Sequence, residues 1–292
     1  MNASIYPEAV RRVRPLIHSI TNYVTATDCA NLLLGCGARP MMADDPAEVA
    51  EITAASDGLL LNLGTPSERS VRSLKLALEA ATRKGIPTVF DPVGVGASAF
   101  RRRAAAELLA IGTPSVIRGN RTEIRTLAGM IGANVSTSQN SCTAAAGVDA
   151  AATDCMSEAE VGFVCKEARA LARACGAVIV VTGEIDVVTD GTRTACVRNG
   201  RPEMATVTGT GCQLTSLIAG FVASSPKEVY EATVAAVAAM GVAGEIAAER
   251  MTPADGNATY GRYLLDAVNR LTGAELAARA RIEEIEGTGD ET

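Results

Sequence analysis

The chain alternates short apolar runs with longer stretches in which apolar residues return every three or four positions. Runs of the first kind lie at 58–62 (GLLLN), 88–91 (TVFD), 115–118 (SVIR), 177–182 (AVIVVT), 187–189 (VVT) and 194–197. Their length and β-branched content predict strands. Several are continuously apolar rather than alternating, the mark of strands covered on both faces. Helical spacing predicts helices over residues 27–35, 46–55, 67–84, 102–110, 122–130, 157–174, 212–223, 227–250 and 255–272. Pro46 after Asp45, and the run Thr65-Pro66-Ser67, supply helix-start signals.

Strands and helices alternate through short links, which predicts an α/β fold with a largely parallel central sheet flanked by helices on both faces. Two strands meeting at Asp190-Gly191 break that rhythm and read as a hairpin. No repeat or linker divides the sequence, so residues 1–292 are expected to form a single domain. Residues 131–154, rich in Ser, Thr and Ala, are expected to be an irregular loop, and the acidic tail 283–292 to be frayed.

Composition narrows the function classes. A formal charge of −6, from 33 acidic and 27 basic residues, argues against a nucleic-acid surface. Basic clusters at Arg11-Arg12-Val13-Arg14 and Arg101-Arg102-Arg103 fall in helical stretches and read as solvated faces. Eight cysteines include no closely spaced pair and accompany a single histidine, His18, which excludes a zinc site of ordinary spacing. They read as reduced and buried, so a cytoplasmic protein is expected, with His18 in a structural role. Residues 204–226 carry no formal charge but contain Thr206, Thr208, Thr210, Gln213 and Thr215, too polar for lipid. The apolar stretch 232–244 suits a buried helix, so no membrane partner is expected.

In an open parallel sheet, ligands gather beyond the carboxyl ends of the strands. There the apolar runs end in Asn62 and Gly64, Asp91, Arg118, and Thr182-Gly183-Glu184. The segment Thr208-Gly209-Thr210-Gly211-Cys212 opens a helix, where backbone N–H groups and the helix dipole can hold an anion. An ordinary glycine-rich turn into a core helix fits the same residues equally well. The dipole is expected to lower the Cys212 thiol pKa, making it a nucleophile, a weak base or a packed residue. Asp91 and Glu123 offer hard carboxylates to Mg2+, or serve as a loop cap and a first-turn acid. Arg118 is either a phosphate clamp or a salt-bridge partner.

In order along the chain, the segments 18–22 (HSITN), 37–42 (GARPMM), 61–65 (LNLGT), 91–96 (DPVGVG), 117–120 (IRGN) with Glu123, 181–184 (VTGE) and 207–212 (VTGTGC) resemble the hydroxyethylthiazole kinases, thiazole-salvage enzymes of thiamine biosynthesis. The resemblance implies a ribokinase-like fold, commonly a homotrimer with sites near subunit contacts. It implies ATP and Mg2+, with Arg118, Thr182 and Asn120 at the nucleotide and Asp91 and Glu123 at the metal. Met42 and Gly209 match the family's thiazole-contacting positions, and Asn22 is expected to line the same pocket. Gly209, Thr210 and Gly211 serve the transferred phosphoryl group, and Cys212 stands where related kinases place an aspartate base.

Two positions depart from the family pattern. Ser19 replaces a usual cysteine, and Arg121 replaces a small residue, adding a cation that either tightens nucleotide binding or pairs with a local acid. Rival readings on the same fold are a kinase of a pyrimidine or pyridoxal-type alcohol, a nucleotide-dependent dehydratase, and a silent binding protein. Cys212 in place of aspartate argues against the first, and the set Asp91, Glu123 and Arg118 against the last. No G-x-G-x-x-G opens the first βα unit, which disfavours an oxidoreductase.

Overall fold

The computed structural model describes residues 2–133 and 158–285. The first half runs α1 (Ile5–Val13), β1 (Leu16–Ile20), α2 (Ala26–Cys36), β2 (Arg39–Met41), α3 (Val49–Ala55), β3 (Gly58–Asn62), α4 (Glu68–Lys84), β4 (Thr88–Asp91), α5 (Ala99–Ile111), β5 (Val116–Asn120) and α6 (Arg121–Met130). The second runs α7 (Glu158–Cys175), β6 (Val178–Thr182), β7 (Asp186–Thr189), β8 (Thr194–Val197), α8 (Thr210–Ser224), α9 (Val229–Arg250), α10 (Asn257–Arg270), α11 (Gly273–Arg279) and β9 (Ile282–Glu284).

These strands form one sheet in the order β2-β1-β3-β4-β5-β6-β7-β8-β9. The first six in that order pair in parallel, and β7, β8 and β9 add an antiparallel edge. The period of two along each strand sorts the core into two layers. Ile17, Leu60, Val89, Val116, Val178 and Val180 pack against α8 and α9 on one face. Leu59, Leu61, Phe90, Ile117, Ile179 and Val181 face the layer built by α4, α5, α6 and α7. The central sheet covered on both faces is therefore as expected, and so is the β7–β8 hairpin through Asp190.

Strands β1, β2 and β9 were not expected. Polar His18 and Ser19 interrupt β1, Pro40 sits within edge strand β2, and β9 is mostly acidic. His18 is fully buried between Thr53 Oγ1 (2.7 Å) and the Ala43 carbonyl (2.9 Å), in the structural role expected of it. Helix α3 begins at Val49, three residues beyond Pro46, because Asp45 first holds a turn through the Ala47 N–H (2.9 Å). The tail does not fray at 283: Glu283 pairs with Arg198 at 2.9 Å and β9 lies on β8. Residues 286–292, and 134–154 of the expected irregular loop, lie outside the described residues.

Helix α9 is long and apolar enough to cross a membrane, yet 78% of its most apolar window is buried inside the fold, so it is a core helix. Helix α8 reaches the sheet closely because β3 begins with glycine. A Cβ at Gly58 would stand 2.9 Å from Ala223 Cβ and 3.2 Å from Ile17 Cδ1. Gly58→Val is expected to force α8 off the sheet and to lower stability by about 1–3 kcal/mol. A urea midpoint equal to that of the parent would refute this account of the close approach.

Candidate active site

The parallel strands end on one rim, and that geometry gathers the residues singled out above. Asn62 ends β3 in register with Asp91 ending β4, and Asn120 ends β5 in register with Thr182 ending β6. Asn22 follows β1, and Met42 follows β2 as a half-buried side chain at the same rim. The start of α8 points into the middle of this row. Gly209 is its N-cap with φ of 85°, a left-handed conformation suited to glycine, and a Cβ there would collide with the Thr25 methyl.

Asp91 is completely buried. Its Oδ2 accepts hydrogen bonds from Asn62 Nδ2 (3.0 Å) and Thr215 Oγ1 (2.8 Å) and lies 3.7 Å from Arg118 Nη1. Its Oδ1 is buried and has no hydrogen-bond partner among the described residues. Arg118 also donates through Nη2 to Thr182 Oγ1 at 2.7 Å. Its guanidinium rests on the first turn of α8, where a Cβ on Gly211 would stand 2.5 Å from Nη1. Arg118 is thus an ion-pair partner whose guanidinium also lies against the glycine-opened first turn of α8.

Glu123 realises the capping alternative in full. Its Oε2 accepts from the Asn120 N–H (2.8 Å) while Asn120 Oδ1 accepts from the Glu123 N–H (2.8 Å), a reciprocal capping box. Its Oε1 takes the Gly94 N–H at 2.7 Å, tying the loop after β4 to α6. The Asn120 side-chain oxygen is therefore committed to the helix end. Thr210 likewise turns its hydroxyl away, to the Met204 carbonyl at 3.1 Å, and leaves only its backbone N–H to the terminus.

Cys212 Sγ receives two amide donors, Asn22 Nδ2 and Asn62 Nδ2, each at 3.3 Å. Burial first, and the Asp91 charge second, push its thiol pKa up to about 12, against the lowering expected from the helix dipole. Burial and the same Asp91 charge push Glu123 up to about 7, while burial also raises Asp91 itself against the pull of Arg118.

Three residues at the site escaped the sequence reading. Thr215 lies one turn beyond Gly211 on α8, so helical spacing from the glycine motif could have found it. Asp186, opening β7, accepts from the Gly183 N–H at 3.0 Å, and burial raises it to about 7 against the pull of Arg118. Nothing in the sequence marked it. Arg101 is no solvated surface residue: it is half-buried and donates to the carbonyls of Leu63, Val93 (2.6 Å) and Gly64 (3.0 Å), joining the loops that follow β3 and β4. Arg121 pairs with Glu160 at 2.7 Å, which settles its choice in favour of a local acid. Ser19 is buried, and its hydroxyl lacks a hydrogen-bond partner among the described residues.

A thiol with a pKa near 12 is almost wholly protonated at pH 8. Cys212 is therefore expected to alkylate with iodoacetamide about a thousandfold more slowly in the folded protein than in urea, read from the mass of its peptide. Rapid labelling of the folded form would reveal a thiolate.

Comparison with known proteins places this geometry in a family. The model of the hydroxyethylthiazole kinase family matches residues 8–274. A hydroxyethylthiazole kinase of Clostridium acetobutylicum is 43% identical over 276 residues, covering 94% of this chain and 97% of its own. The solved hydroxyethylthiazole kinase of Pyrococcus horikoshii superposes with a TM-score of 0.83 at 33% identity, covering 97% of this chain and 99% of its own. A pyridoxal kinase of Staphylococcus aureus shares the fold at a TM-score of 0.60 and 13% identity, covering 93% of this chain and 98% of its own. With a ribokinase-like fold and likeness over nearly its full length, the chain belongs to the hydroxyethylthiazole kinase family.

Proposed function

We propose that this protein transfers the γ-phosphoryl group of ATP to the hydroxyl of 4-methyl-5-(2-hydroxyethyl)thiazole, in the salvage branch of thiamine biosynthesis. The observation that carries the reading is the buried Asp91–Arg118 pair facing the glycine-opened end of α8 in a member of this family. Arg118 and Thr182, with Asn120 beside them, hold the nucleotide phosphates. The N–H groups of Gly209, Thr210 and Gly211 neutralise charge on the moving phosphoryl group. Cys212 receives the alcohol oxygen, Asn22 lines the same pocket, and Met42 with Gly209 meets the thiazole ring, where a thioether packs well.

The donor set fits Mg2+: hard carboxylates, with Asp91 Oδ1 buried and lacking a hydrogen-bond partner among the described residues and Glu123 bonded through both oxygens. Asp91 would hold the ion directly or through water and Glu123 through water. Bound there, Mg2+ would neutralise phosphate oxygens. Phosphoryl transfer proceeds through a loose transition state and needs little base strength. A Cys212 thiol pKa near 12 accordingly suits a residue that orients the alcohol rather than deprotonates it beforehand.

The protein works as one catalytic unit in a reduced, cytoplasmic setting, a reading supported by six free cysteines among the described residues. It self-associates as a homotrimer. In support, Tyr23 and Val24 stand 81% and 56% exposed directly after Asn22, so a subunit contact there would border the acceptor pocket.

Purified protein with ATP and Mg2+ is expected to release ADP when hydroxyethylthiazole is added and not when hydroxymethylpyrimidine is added. Turnover with the pyrimidine would overturn the substrate, and silence with both would overturn the kinase reading. Cys212→Ser should retain readily measured turnover in the same assay. Complete loss of activity in the folded variant would instead make the sulfur indispensable.

A further inference from the structure

Asp91, Arg118 and Gly211 meet for reasons already given, but an asparagine amide also stands between the acid and the thiol. Asn62 is 6% exposed and all four of its hydrogen-bonding sites are used. One amide proton goes to Asp91 Oδ2 (3.0 Å) and the other to Cys212 Sγ (3.3 Å). Its carbonyl oxygen accepts from the Gly64 N–H (2.8 Å) and from Asn22 Nδ2 (3.1 Å). The amide cannot be turned over, because its NH2 would then face two donors. Asn22 is fixed in turn, its oxygen taking the N–H groups of Val24 (3.1 Å) and Thr25 (3.2 Å).

Thr215 approaches the same carboxylate from the other side, from α8 rather than from the sheet. Its single proton is shared between Asp91 Oδ2 at 2.8 Å and the Gly211 carbonyl at 3.1 Å, and the charged, closer acceptor is the stronger. Two donors from two elements thus converge on one oxygen of Asp91 and leave the other without a hydrogen-bond partner among the described residues. A buried carboxylate held through one oxygen has a fixed plane, and its second oxygen is presented in a single direction.

We infer that Asn62 and Thr215 are positioning residues that saturate Oδ2 of Asp91, leave Oδ1 as the one oxygen open to a divalent cation, and, through the Asn62 amide, lock the metal side of the site in register with the alcohol-side pair Asn22 and Cys212. The inference rests on the kinase reading for its chemistry, but the placement of the donors does not depend on which alcohol is phosphorylated. Neither residue touches the reacting atoms. Their effect passes through Asp91 and Cys212.

The test uses the full chain with Thr215→Val, which removes the hydroxyl at nearly constant shape, Thr215→Ser, which keeps it, and Asn62→Ala. Mn2+ binding in the presence of ADP is followed by electron paramagnetic resonance, alongside kcat, KM for the thiazole and the melting temperature. Thr215→Val is expected to weaken Mn2+ binding and to lower kcat by about tenfold or more with KM for the thiazole little changed, as for a lost hydrogen bond to a charged group. Thr215→Ser should restore both. Asn62→Ala should lower kcat and also raise KM for the thiazole, since it releases Asn22 and Cys212. Variants that bind Mn2+ as the parent does, and lose activity only as their melting temperatures fall, would reduce both residues to packing and overturn the inference. The Mn2+ comparison needs no thiazole turnover, so failure of the proposed reaction and failure of this inference are told apart.

Discussion

Asp91 is withdrawn from water at the end of β4, and a carboxylate in that position persists only where donors share its charge. Much of the rim follows from this requirement. Asn62 is drawn to it from β3, Thr215 from α8 and Arg118 from β5, so the acid holds three elements at one point. Arg118 could not come so close to α8 if residue 211 carried a side chain, and α8 could not lie so low on the sheet if residue 58 did. The glycines of the site therefore serve close packing around a buried charge as much as backbone conformation.

Cys212 shows two electrostatic effects in competition. A helix terminus stabilises a nearby anion by about 0.3–1 kcal/mol, less than one pKa unit. Burial beside a carboxylate acts in the opposite sense and carries the thiol to about 12. The larger effect wins, and the first turn of α8 offers its field to whatever anion approaches rather than to its own sulfur. Two amide donors on that sulfur fit the same picture, since they orient it without asking it to ionise.

The apolar runs made the middle of the sheet legible: β3 and β4 were bounded to the residue, and their terminal Asn62 and Asp91 stood out because polarity begins where the run stops. The outer strands carried less signal: β1 buries polar His18 and Ser19, and the edge strands β2 and β9 are short, so period and β-branched content say little there. The row of strand ends was readable, but its internal bonding was not. The Asn120–Glu123 capping box is local and its spacing stood in the sequence, but that Arg101 would fold back onto three carbonyls and that Asp186 would join the group near Arg118 depend on distances between segments far apart in sequence. The dipole argument for Cys212 failed for the same reason: burial is a property of the assembled layers, not of the GTGC motif.

The order of the strands also divides labour across the rim. Residues assigned to the acceptor, Asn22 and Met42, follow β1 and β2 at one edge, whereas Arg118 and Thr182 belong to β5 and β6 beyond Asp91. One amide, that of Asn62, joins the two groups through Asn22 and Asp91. On the proposed assignment, a lineage of this architecture exchanges one small alcohol for another by altering loops at a single edge, and the Asn62 amide marks where such a change must stop if the phosphate side is to be inherited intact.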